Sequence, residues 1–103
     1  MADEGRTTTP AHAQVAALRG DIEATDQQIV ALIRQRLELA TALGAAKAEA
    51  GMPTADPVRE AAVLRQVTGA AREAGLDVEA VRQIFWCLIG LCRAAQMGGQ
   101  QDG

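Results

Sequence analysis

Between about Ala11 and Glu49 the apolar residues Val15, Leu18, Ile22, Ile29, Leu32, Leu39 and Leu43 recur in steps of three and four, once Thr25 and Arg36 are counted in register. That spacing follows the turn of a helix and predicts one long helix with a single apolar stripe. At 1.5 Å per residue it would extend roughly 55 Å, whereas a compact domain of about 100 residues has a radius of gyration near 13 Å. A stripe that outruns its own subunit needs another apolar surface. A second copy of the chain is the most economical one, so a homodimer is expected.

Two shorter helices follow. The stretch from Asp56 to Glu60 is a strong helix start: Asp56 is placed to cap, Pro57 suits the first turn, and Glu60 puts negative charge near the positive end of the dipole. Its inner stripe reads Val63, Leu64, Val67, Ala70, Ala71 and Ala74, with Glu60 leaning inward, and Gly75 closes it. Asp77 opens a third helix whose inner face holds Val81, Ile84, Phe85, Leu88, Leu91, Cys92 and Ala95, with Gln96 one turn beyond Cys92. Thr9 and Pro10 begin the long helix; Gly51 and Pro53 end it. Residues 1–9 and 98–103 read as polar tails around a 10–97 domain, the Gly98–Gly99 pair ending the order. No period-two alternation appears, so the fold class is all-α: three helices, one very long, with short connections that favour antiparallel neighbours.

Composition narrows the function classes. A chain of 103 residues supports one domain, and an apolar content of 49% with one Phe and one Trp implies a core of small and aliphatic side chains. The net charge of −3, with basic residues spread along helices, argues against nucleic acid as a partner. No apolar run approaches the roughly 20 residues that span a bilayer, and the polar start lacks the apolar centre of a signal peptide, so no membrane role and a cytoplasmic location are expected. Cys87 and Cys92 point about 140° apart on one helix and should stay reduced.

Several polar residues fall on inward registers. Arg36 stands where a hydrophobe is expected, and Lys47, eleven residues on, lies within about 20° of it around the helix. Arg19 points about 100° away and lies some 25 Å off along the same helix, so it does not easily join the Arg36–Lys47 pocket of its own chain, but it can approach that of a partner if two such helices pair antiparallel. Glu60, Gln96 and Arg59 flank the other two stripes. Singly, each has an ordinary explanation: snorkelling, a helix-dipole partner, or a solvated end. Together they make a pocket for a small polyanion, able to clasp carboxylates and stabilise charge. No nucleophile–base pair, metal-ligand spacing or phosphate loop accompanies them, and no cofactor is expected.

At this point the chain resembles the all-helical, type II chorismate mutases. The resemblance runs from Leu18 to Gln96 and rests on LRGDIEATD, RQRLELATALGAAK, DPVRE, GLD and IFWCLIGLCRAAQ in that order and spacing. It implies an intertwined homodimer with two shared active sites that rearrange chorismate, a dicarboxylate, to prephenate in aromatic amino acid biosynthesis. Carried onto this sequence, Arg19 is the arginine lent by the partner, Arg36 clasps a substrate carboxylate, and Lys47 reaches a carboxylate and the ether oxygen. Gln96 is the second donor to that oxygen. Asp56 and Glu60 hold the ring hydroxyl, and Arg59 supports that edge. Cys92 stands where such enzymes often carry a serine, and a thiol is the weaker donor.

Two other readings stay open on sequence alone. One is a mutase or lyase acting on 4-amino-4-deoxychorismate or isochorismate, since Glu60 could pair with an amine as well as accept from a hydroxyl. The other is a helical dimerisation module without catalysis, against which Arg36 speaks, because a pure scaffold gains stability by replacing it with a hydrophobe.

Overall fold

A computed structural model describes the backbone of residues 9–102 and the side chains of residues 9–97. It contains three helices, α1 (Pro10–Glu49), α2 (Pro57–Glu73) and α3 (Val78–Asp102), and no strand among the described residues. The fold is all-α, as the periodicity requires. The tail read at residues 1–8 lies outside the described residues.

The helix ends follow local chemistry. The Thr9 hydroxyl accepts from the His12 amide at 3.1 Å, and the Asp56 carboxylate accepts from the Arg59 amide at 3.1 Å, with Pro57 in the first turn. Asp77 caps α3 by accepting from the amides of Glu79 and Ala80 at 3.0 and 3.2 Å. At the end of α1, Gly51 takes a φ of 70°, which lets the Met52 amide reach back to the Lys47 carbonyl at 2.8 Å. That is the helix-ending arrangement in which a left-handed residue satisfies otherwise orphaned carbonyls. The Gly98–Gly99 pair, expected to stop α3, does not: the helix continues to Asp102. Glycine weakens a helix by only about 1 kcal/mol relative to alanine, so two of them near an end need not break it.

Contacts divide the chain into two units, one up to Ile33 and one from Arg34 onward. In the first, residues 10–32 of α1 are all exposed, including Val15, Leu18, Ile22, Ile29 and Leu32. The second holds the rest of α1 together with α2 and α3, which pack on each other. Its buried apolar residues are Ala40, Ala71, Ile89 and Cys92, with Thr68 buried among them and its hydroxyl donating to the Leu64 carbonyl at 2.9 Å. Ile84 and Leu91, expected on the inner face of α3, are instead exposed, as are Leu39 and Leu43 of α1. Apolar surface this extensive is costly in water unless something covers it.

Candidate active site

The second unit forms a pocket of about 220 Å³ that is open to solvent on one side. From α1 come Arg36, Leu39, Ala40, Leu43 and Lys47; from the connection, Thr54 and Asp56; from α2, Arg59, Glu60 and Val63; from α3, Ile89, Cys92, Arg93 and Gln96. Of the eight residues singled out in the sequence, seven meet here. Arg19 does not line this cavity; it is exposed in the first unit.

The α1 cations reach the cavity because Arg36 and Lys47 share a helix face, as their spacing demanded. Each is held by α3. Arg36 Nη1 donates to Cys92 Sγ at 2.9 Å, and Lys47 Nζ donates to Gln96 Oε1 at 3.4 Å and to the Thr54 carbonyl at 3.1 Å. The close approach of the two helices depends on Gly44, which is buried: a Cβ there would stand 3.2 Å from both Cα and Cβ of Gln96. The thiol of Cys92 acts as an acceptor toward Arg36, a different part from the donor role its position suggested.

Glu60 of α2 is gripped by Arg93 of α3, whose Nε and Nη2 donate to Oε2 and Oε1 at 3.0 and 2.7 Å. These hydrogen bonds hold the Glu60 carboxyl below its usual value and raise the Arg93 guanidinium in turn. Desolvation and the nearby Asp56 push Glu60 the other way, and Lys47 adds to the lowering. Glu60 is therefore an ionised acceptor at neutral pH. Arg93 was missed in the sequence, although a signal existed: it falls four residues after Ile89 and three before Gln96, on the stripe that faces the cavity. Thr54 was missed because its contribution is a backbone carbonyl, which no side-chain pattern reveals.

Four cations and two carboxylates line the cavity, an excess of two positive charges beside the apolar Leu39, Leu43, Val63 and Ile89. That arrangement suits a small dianion with an apolar ring. Among the described residues no group of His, Cys, Asp and Glu is placed to hold a metal ion, and no helix is long and apolar enough to cross a membrane.

Residues 18–97 match the chorismate mutase type II family. The chain belongs to that family. The matched span contains every residue of the cavity wall. The chain is 33% identical over 89 residues to a 3-dehydroquinate dehydratase of Pyrobaculum aerophilum, covering 86% of this chain and 26% of that protein. It is 31% identical over 68 residues to the T-protein of Haemophilus influenzae, covering 66% and 18%. It thus spans about a quarter or less of the length of these curated relatives. A solved structure of a conserved hypothetical protein from Pyrococcus furiosus superposes with a TM-score of 0.64 at 34% identity, covering 81% of this chain and 95% of that one.

Proposed function

We propose that the chain is a chorismate mutase, converting chorismate to prephenate without a cofactor. The observation that carries this reading is the convergence of Arg36, Lys47, Glu60 and Gln96 on one cationic cavity that offers no nucleophile–base pair. The rearrangement needs none: the ether C–O bond breaks as a C–C bond forms within one molecule, and no proton or electron leaves. What it needs is a compact substrate shape and donors at the ether oxygen, where negative charge accumulates. Arg36 clasps a carboxylate, Lys47 and Gln96 address the ether oxygen, and Glu60 accepts from the ring hydroxyl at an edge supported by Asp56 and Arg59. Restricting the substrate to its reactive shape lowers the entropic part of the barrier. Donors fixed before the reaction begins lower the electrostatic part, because they need no reorganisation as charge develops. Lys47 is fixed in this sense by the Thr54 carbonyl.

The working form in this reading is a homodimer in the cytoplasm, with two sites to which each chain lends Arg19. The exposed apolar residues Val15, Leu18, Ile22, Ile29, Leu32, Leu39 and Leu43 support it, as apolar surface of α1 that a single chain leaves uncovered. The direct test is to incubate the purified chain with chorismate and follow prephenate by chromatography. Turnover well above the spontaneous rate is expected; a rate equal to the protein-free control would overturn the reading.

A further inference from the structure

Arg93 has no part in the mechanism just proposed, on which the following rests. It lies one residue past Cys92 on α3, and both of its cavity contacts end on Glu60. Two parallel N–H···O bonds fix the plane of a carboxylate and occupy one lone pair on each oxygen, leaving the others only able to accept. The side chains are 40% and 26% exposed, so solvent screens the pair incompletely. We propose that Arg93 is a specificity-determining residue: by pairing with Glu60 it makes that edge of the pocket select a neutral hydroxyl donor and reject an ammonium group.

Net charge at this edge decides the selection. An isolated carboxylate attracts an ammonium ion more strongly than a hydroxyl. Once a guanidinium neutralises that carboxylate, an incoming ammonium meets a second positive charge close by and loses more hydration than one hydrogen bond to the paired carboxylate returns. A hydroxyl surrenders far less hydration and keeps its hydrogen bond to the free lone pair. The surroundings act in the same sense: Lys47 of α1 and Arg59 of α2 add positive charge, Asp56 before α2 offsets one of them, and Arg36 and Gln96 complete the wall. The choice between a ring hydroxyl and a ring amine, which Glu60 alone leaves open, is thereby tilted toward the hydroxyl.

The test offers chorismate and 4-amino-4-deoxychorismate in parallel to the wild type, Arg93→Gln and Arg93→Lys. The wild type should prefer chorismate. In Arg93→Gln the ratio of the two kcat/KM values should fall by about tenfold or more, because a unit charge a few Å away counts for at least that at an effective dielectric near 20. Arg93→Lys keeps the charge and should keep most of the preference. The acid limb of kcat/KM for chorismate should also move to higher pH in Arg93→Gln, as Glu60 loses the hydrogen bonds that hold it ionised, a shift that a purely structural role would not give. Arg93→Met, which preserves the packing of the stem, takes over the comparison if the glutamine variant unfolds. A wild type that prefers the amine, or an unchanged ratio and limb in folded variants, overturns this inference alone. Absence of any turnover by the wild type removes the underlying activity and this inference with it.

Discussion

Gly44 of α1 lies so close to Gln96 of α3 that a methyl group in its place would stand 3.2 Å from the Gln96 Cα and Cβ and 3.3 Å from its Cγ. The glycine therefore sets how near Gln96 comes to Lys47. Replacing it by alanine in a helix interior raises helix propensity by about 0.5–1 kcal/mol, yet the contact forces Gln96 aside by a few tenths of an Å. Gly44→Ala should melt near the wild-type temperature while kcat/KM falls by about tenfold, since donors displaced by a fraction of an Å lose alignment. Thermal melts beside steady-state kinetics separate the two effects; full activity would show that the spacing is not functional.

Arg36→Ala and Lys47→Ala should each lower turnover by about 100-fold to 1,000-fold, the usual cost of removing one donor from a preorganised site. Both side chains are only partly buried, so far-ultraviolet circular dichroism should keep the wild-type helical signal. Near-normal rates in either variant would remove the proposed mechanism.

The Glu60–Arg93 pair links stability to pH. Because the pair lowers the folded-state value of Glu60, its contribution is present above the ordinary glutamate value of 4.5 and is lost as pH falls through the lower folded value. The melting temperature of the wild type should exceed that of Glu60→Gln at pH 7, and the gap should close on acidification below about pH 4.5. A gap that is constant from pH 7 to strongly acid conditions would mean that the pair does not contribute as a charged pair.

The proposed sharing of sites between two chains allows a complementation test. Arg19→Ala and Arg36→Ala homodimers should both be nearly inactive. Unfolded together in equal amounts and refolded, half of the dimers become mixed, each with one site free of both substitutions, so about a quarter of wild-type activity should return. No recovery would mean that Arg19 does not act across a dimer.

A charge placed in the middle of the stripe should prevent pairing. Ile29→Asp, at a position 49% exposed in the single chain, should sediment as a monomer and lose activity together with the dimer. An active monomer would refute the shared-site arrangement.

Features that depend on neighbours along the chain were legible in the order of residues. The 3.6-residue period fixed three helices, Asp56 with Pro57 marked the start of α2, and the interval from Arg36 to Lys47 put both cations on one face. These are local because backbone geometry over a few turns decides them. That order was a weaker guide where local signals compete, as at Gly98–Gly99, through which α3 continues. The partners emerged from packing: Arg93 for Glu60, Cys92 for Arg36, the Thr54 carbonyl for Lys47, and Gly44 as the place where α3 closes on α1. Those pairings join residues far apart in the chain, and a one-dimensional pattern gives each helix its inward face without giving the rotation and height at which two faces meet.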